Sequence, residues 1–151
     1  MVQEIKDKKQ KETISRIILE NLEAWFGIEA YRENYIKENQ ALTFFAAFEN
    51  NKPVGFIVAK ETSPYALDIY CMGVLKDNHQ KGHGKALIQA LKNDAQSKGY
   101  KFLHVKTVEK GHYNEYDQTI DFYKKMGFYE LEVFKTLWDE HNPCQVFIMS
   151  L

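Results

Sequence analysis

The chain has 151 residues, 44% of them hydrophobic and 14% aromatic, with a formal net charge of −1. That length suits one domain with a genuine core and excludes two, and the composition excludes a disordered chain. The near-neutral charge gives no global attraction to nucleic acid or to an anionic membrane.

In chain order, Val2–Lys6 reads as a short strand, followed by a run containing Lys6, Lys8, Lys9 and Lys11 that Glu4, Asp7 and Glu12 interrupt, as on a solvated face. From Thr13 the apolar residues Ile14, Ile17, Ile18, Leu22, Trp25 and Phe26 recur at helical spacing, with Gly27 as the stop. A second helix over about 29–39 carries Tyr31, Tyr35 and Ile36 on one side. Residues 41–48 and 54–60 form a hairpin across Asn50-Asn51-Lys52-Pro53, and Ser63-Pro64 precedes a strand at 66–74. A helix from Gly84 to about Lys98 buries Leu87, Ile88, Leu91 and Ala95 and ends at Gly99. The strand at 100–108 is then parallel to 66–74, because a helix crosses between them. A polar loop at 109–117, a short helix from Gln118 to Met126, and closing strands at 128–138 and 145–151 with Asn142-Pro143 in their turn complete the chain. The order defines an α+β fold with a mixed sheet in one domain spanning 1–151.

Two cysteines, Cys71 and Cys144, cannot build a disulfide framework and lie in apolar runs, as core residues of a reduced protein do. No apolar stretch reaches the length of a membrane span and no signal-peptide core opens the sequence, so the expected location is cytoplasmic.

The organising stretch is 66–95: a buried strand, a polar loop ending in Gly82-His83-Gly84, and a helix directly behind. Glycines let a ligand approach the backbone, and a helix N-terminus offers unpaired N–H groups and the positive end of its dipole. Lys81 and Lys85 add like charge, so the loop is an anion site suited to phosphate. A P-loop is excluded because Ala86 follows Gly84-Lys85 and His79 stands where the first glycine belongs. A dinucleotide fingerprint is excluded because Leu87 replaces its third glycine and the loop lies past mid-chain.

His79-Gln80-Lys81-Gly82-His83-Gly84 resembles the pyrophosphate loop Gln/Arg-x-x-Gly-x-Gly/Ala of the GNAT superfamily of acyl-CoA N-acyltransferases, with His79 replacing Gln or Arg. Downstream, Tyr116-Asp-Gln-Thr119-Ile-Asp-Phe122-Tyr123-Lys-Lys-Met-Gly127-Phe128 resembles the family's Asn-x-x-Ala-x-x-Phe-Tyr-x-x-x-Gly-Phe, with Tyr116 and Thr119 as the departures. The ending, Glu132 to Trp138 with Asn142-Pro143-Cys144, resembles a bacterial subgroup of the family. The layout is similar from end to end and implies a largely antiparallel sheet whose parallel central pair splays to admit CoA, flanked by helices.

The resemblance implies acetyl transfer from acetyl-CoA to a primary amine of a small molecule or peptide, by direct attack in a ternary complex. In the loop His79, Gln80, Lys81, Gly82, His83, Gly84 and Lys85, the backbone amides from Gln80 to Lys85 would grip the pyrophosphate, and the backbone of Met72 and Val74 would pair with the pantetheine arm like an added strand. A backbone N–H near Met72 would polarise the thioester, and Tyr123 would be the general acid for the leaving thiolate. Alternation puts Ala66, Asp68, Tyr70 and Met72 on one face, so Asp68 is the expected base, acting through water, with Glu109 and His112 as competitors and a plain ion pair as its alternative role. Trp25, Phe26 and Tyr31 on one side, with His112, Tyr113, Tyr116 and Trp138 on the other, would line the acceptor pocket. His79 and His83 flank a glycine turn with no third ligand, so no metal is expected. The alternative functions are a non-catalytic acyl-CoA sensor and a nucleotide-phosphate binder; nucleic acid and membrane are not expected partners, and a homodimer is compatible with the sequence.

Overall fold

The computed structural model describes residues 1–151. Seven strands and five helices follow the order β1 (Val2–Glu4), α1 (Lys8–Glu20), α2 (Glu23–Phe26), α3 (Glu29–Asn39), β2 (Thr43–Glu49), β3 (Lys52–Ser63), β4 (Ala66–Val74), α4 (His83–Ser97), β5 (Phe102–Val108), α5 (Asn114–Lys125), β6 (Tyr129–Asp139) and β7 (Asn142–Ser150). The sheet order is β1-β2-β3-β4-β5-β7-β6, with β4–β5 parallel and β1–β2, β2–β3, β5–β7 and β6–β7 antiparallel. This is the α+β mixed sheet expected from the element order. No helix is long and apolar enough to cross a membrane. The chain forms two compact units, Met1–Lys60 with Tyr70–Asp94, and Glu61–Ile69 with Ala95–Leu151.

In the first unit α1 begins earlier than Thr13. The Asp7 carboxylate accepts the Gln10 N–H at 2.9 Å and caps a helix that the lysine run then propagates. Lys11 is buried rather than solvated, its ammonium donating to the Leu42 carbonyl oxygen at 2.7 Å. The helix also stops short of Phe26: the Asn21 side-chain amide turns back onto the Ile17 carbonyl at 2.7 Å, and α2 restarts as a separate turn. Arg16 grips both Glu33 oxygens at 2.9 Å, which fixes the pairing of α1 with α3 more than it stabilises it, because the pair is exposed. Ile14, Ile18, Leu19 and Leu22 pack with Ile36 over Phe44, Phe56, Val58 and Cys71.

Strand β4 reverses its pleat. Tyr70 faces α3, its hydroxyl donating to Glu38 and its ring meeting Tyr35 at 5.2 Å. Cys71, the next residue, lies in the same core cluster, where the Asn39 side chain of α3 hydrogen-bonds its thiol. Two successive side chains on one face require the alternation to slip by one residue, as at a bulge. Gly73 then faces α1, where an added Cβ would stand 2.8 Å from Leu22 Cδ1 and 3.1 Å from Ile18 Cγ2. Val74 faces the opposite way, toward Gly55 and Leu87 of α4. Met72 shares the parity of Val74, so it leaves the face of Tyr70 that simple alternation assigned to it.

In the second unit, Ala66, Leu67 and Asp68 pair with Phe102, Leu103 and His104, and β5 continues against β7 to Val108. Helix α5 starts at Asn114, before Gln118, because Glu115 and Asp117 suit a helix N-terminus and Asp117 accepts the Gly111 N–H at 2.9 Å. Tyr116 is therefore helical. The β6–β7 turn is tied by the Asn142 side chain, which donates to both Asp139 oxygens at 3.0 Å, so Pro143 sits inside β7 and not in the turn.

Gly73→Val should destabilise the fold by about 1–3 kcal/mol, because the new side chain meets α1 where no space exists. Urea denaturation of the variant beside Gly99→Ala, whose Cβ would meet nothing within 4 Å, checks this against the cost of a left-handed glycine alone.

Candidate functional site

In the first unit, β4 leads through a 3-10 turn at Lys76–Asn78 into the glycine loop. Gln80 and Gly82 adopt left-handed φ angles of 62° and 85°. The helix begins at His83, one residue ahead of the expected start, and the Ala86 N–H is bonded back to the Gly82 carbonyl at 3.0 Å. The amides of His83, Gly84 and Lys85 thus belong to the first turn and point ahead of the helix. A Cβ on Gly82 would meet nothing within 4 Å, so the loop is open at that residue.

Glu49, at the end of β2, organises this loop. Its carboxylate accepts from His83 Nε2 at 2.9 Å, from the Asn78 side-chain amide at 3.1 Å and from the Lys81 ammonium at 3.4 Å. The His83 bond is the main reason its pKa lies below the usual carboxylate range. His79 turns away, its Nε2 bonded to the Val74 carbonyl at 2.7 Å and its ring against Trp25 at 6.0 Å. The two loop histidines thus have different partners, and no group of three His, Cys, Asp or Glu side chains is placed to hold a metal.

Trp25 and Phe26 stand near this region of the same unit. Trp25 borders a shallow open depression of about 330 Å³ with Glu20, Glu23 and Lys76, and Phe26 continues through Tyr35 to Tyr70 at ring separations of 5.8 and 5.2 Å. Tyr31 does not join them; it is 67% exposed on the outer face of α3. Met72 and Val74 are half-buried on β4. Cys71 is fully buried, which pushes its thiol up to about 12 and makes it a packing residue.

In the second unit Tyr123 is buried, with its ring edge-on to Phe122 at 5.4 Å and Phe128 at 5.6 Å. Asp68 is buried beside His104 and Lys106, with Oδ1 at 3.3 Å from His104 Nδ1 and 3.7 Å from the Lys106 ammonium. Glu109 and His112 pair with each other at 3.4 Å, and Tyr113 meets Tyr116 edge-on at 5.8 Å. Burial raises the pKa of the Tyr116 hydroxyl. Trp138 is half-exposed near the end of β6.

Sequence reading missed Glu49, Glu38 and His104. Nothing local marks a glutamate at a strand end as the clamp of a loop some 30 residues away. His104 carried a usable signal: aligning the two parallel strands by their apolar runs sets it opposite Asp68.

A family model for the acetyltransferase (GNAT) domain matches residues 40–130. The chain belongs to the GNAT acetyltransferase family. Among solved structures, a GNAT-family protein from Desulfovibrio desulfuricans is 19% identical, covers 99% of both chains and superposes with a TM-score of 0.83. Ard1 from Thermoplasma volcanium is 19% identical over 100% of this chain and 97% of its own, with a TM-score of 0.78. A GNAT acetyltransferase from Elizabethkingia anophelis with acetyl-CoA bound is 19% identical over 87% of this chain and 89% of its own, at 0.69. No curated protein matches the chain.

Glu49→Gln should loosen the loop without unfolding the protein, read as faster amide exchange at residues 80–85 with little change in melting temperature. Because the folded Glu49 pKa is depressed, its contribution is complete above the ordinary 4.5 and is lost as pH falls through the lower folded value. Loop protection should accordingly persist at neutral pH and fade on acidification in the wild type, and be pH-insensitive over that range in the variant.

Proposed function

We propose that the protein is an N-acetyltransferase that uses acetyl-CoA to acetylate a primary amine of a small molecule or peptide. The observation that carries this reading is the glycine turn that opens α4, where a Cβ on Gly82 would meet nothing within 4 Å. A diphosphate fits that cradle by charge and by hydrogen bonding: the first-turn amides donate, the helix dipole is positive there, and Lys81 and Lys85 add charge. Membership of the GNAT family and a neighbour described with acetyl-CoA bound support the same cofactor.

Acetyl-CoA supplies an acyl group activated as a thioester. The chain's own part begins with holding it. Met72 and Val74, beyond the three-pair ladder of β4 with β5, offer backbone groups to the pantetheine arm in the manner of an added strand. The pleat reversal between Tyr70 and Cys71 re-aims the backbone that follows, and the N–H near Met72 is the one proposed to polarise the thioester carbonyl. Tyr123 donates a hydrogen bond toward the departing sulfur, since a phenol, with a reference pKa of roughly 10, is a weak acid matched to that task. Its packing on Phe122 and Phe128 fixes the ring for this role. Asp68 receives the amine's proton through water. Trp25 and Phe26 are proposed as acceptor contacts of the first unit and, separately, His112, Tyr113 and Trp138 as those of the second; Tyr31 is the least supported because its side chain is turned to solvent.

Acetyl-CoA and CoA should raise the melting temperature, and ATP and NAD should not; stabilisation by ATP or NAD alone would remove the acetyltransferase reading. Thiol release across a panel of primary amines should then be detected, and cofactor binding without release from any amine would favour the acyl-CoA sensor. Tyr123→Phe should lower kcat by about 100-fold while leaving the acetyl-CoA KM nearly unchanged, because a general acid contributes only as the thiolate forms. An unaltered kcat would remove Tyr123 from the chemistry.

A further inference from the structure

Between α3 and β4, wholly within the first unit, a carboxylate meets a row of aromatic rings. The Tyr70 hydroxyl donates to Glu38, the Tyr70 ring lies 5.2 Å from that of Tyr35, and Tyr35 lies 5.8 Å from Phe26. All three rings are half-buried: they pack on the rim of the core and keep part of their surface in water. The Lys60 ammonium of β3 stands 5.3 Å from the centre of the Tyr70 ring. A primary ammonium, the group an amine acceptor carries, is thus already held over this ring by the protein itself.

Docking α3 onto β4 does not by itself call for a charge. The Tyr70 hydroxyl needs an acceptor, and the amide oxygen of a glutamine at position 38 would serve as well. A carboxylate instead sets a negative charge beside rings whose faces are also negative, and Glu38 is ion-paired to no side chain of the protein. Both features attract a cation and disfavour an anion. Burial first, and the Glu38 bond second, push the Tyr70 hydroxyl's pKa up, so the phenol stays protonated and remains the donor.

The place of this cluster matters as much as its chemistry. Tyr70 precedes Met72 by two residues on β4, roughly 6–7 Å of strand, and the N–H near Met72 is the one proposed to polarise the thioester. A group held at Glu38 and Tyr70 is therefore one short aliphatic chain away from the carbon that the amine attacks.

We propose that Glu38 and Tyr70, with Tyr35 and Phe26 beside them, bind a second positive charge on the acceptor, so that the preferred substrate is an alkyl diamine; the proposal rests on the acetyltransferase reading above. One nitrogen is acetylated and the other stays an ammonium at Glu38. The spacing selects chain length: a diaminoethane is too short to span that stretch of strand, and a diaminobutane reaches across it. Lys60 competes for the same ring and repels the incoming charge.

NMR titration of the full-length protein with diaminobutane, diaminoethane and butylamine tests the site without turnover, read at the Tyr70 ring signals, which are assigned by their loss in Tyr70→Phe. Diaminobutane should bind about 10-fold more tightly than either of the others. Equal affinity for diaminobutane and butylamine overturns the proposal. Glu38→Gln keeps the acceptor for Tyr70, so its melting temperature should match the wild type while the preference for diaminobutane disappears. Lys60→Gln, at an exposed position, should shift affinity the other way and tighten diaminobutane binding. With acetyl-CoA, the ratio of kcat/KM for diaminobutane over butylamine should fall from about 10 in the wild type to near one in Glu38→Gln. A ratio unmoved by Glu38→Gln, with acetyl-CoA still bound, sinks the cation site alone. Failure of acetyl-CoA to bind the wild type sinks the function on which the site rests.

Discussion

A helix cannot satisfy its own first N–H groups, and the functional reading of this chain hangs on what is done with them at α4. Most helices meet that need with a capping side chain, as Asp7 does for α1. At α4 the preceding residue is Gly82, which has no side chain to offer, and nothing stands within 4 Å of where its Cβ would be. The surrounding charges hold the loop in shape from the side. Glu49 reaches in from β2 and ties Asn78, Lys81 and His83 together without covering the amides themselves. The arrangement keeps a polar appetite in place at the cost of leaving it unfed by the protein.

Strand β4 links that loop to the rest of the sheet, and its geometry is set by a packing conflict. Helix α1 lies so close that a Cβ at position 73 would press on the Leu22 and Ile18 methyls, and on the preceding residues both Tyr70 and Cys71 turn to the same helical layer. The change of pleat that results is the feature that moves Met72 off the face predicted for it. A strand that serves two packing layers in nine residues changes phase between them, and the side chains that follow are re-aimed accordingly.

Much of this was legible in the residues. Period-two and period-3.6 patterns located all the principal strands and helices, and the Gly82-x-Gly84 turn announced the loop because its chemistry is local. Boundaries failed where a single side chain set them: Asp7 starting α1 early, Asn21 ending it, Asp139 and Asn142 tying a turn that the Asn-Pro dipeptide had been expected to make. The face of Met72 failed because alternation assumes an unbroken pleat, and the break is imposed by α1 and α3 from outside the strand. Tyr31 failed because helical spacing groups it with Tyr35, while the observed rotation of α3 buries Ile36 and turns Tyr31 outward. Clusters such as Glu49 with His83, or Asp68 with His104, depend on register between strands far apart in sequence, and register is what a one-dimensional reading carries least of.

Strand β6 is the sheet's last strand, and nearly all of its residues are open to water on both faces, including Tyr129, Leu131, Leu137 and Trp138. A long uncovered border of this kind invites another polypeptide to continue the hydrogen-bond ladder. Here Glu130, Glu132, Lys135 and Asp139 are spaced among the apolar residues, so any newcomer must bring matching charges or bury unmatched ones. That guard is Coulombic and weakens as ions shorten the screening length. Concentrated salt is thus the condition under which the molecule's colloidal behaviour will be decided by its final hairpin.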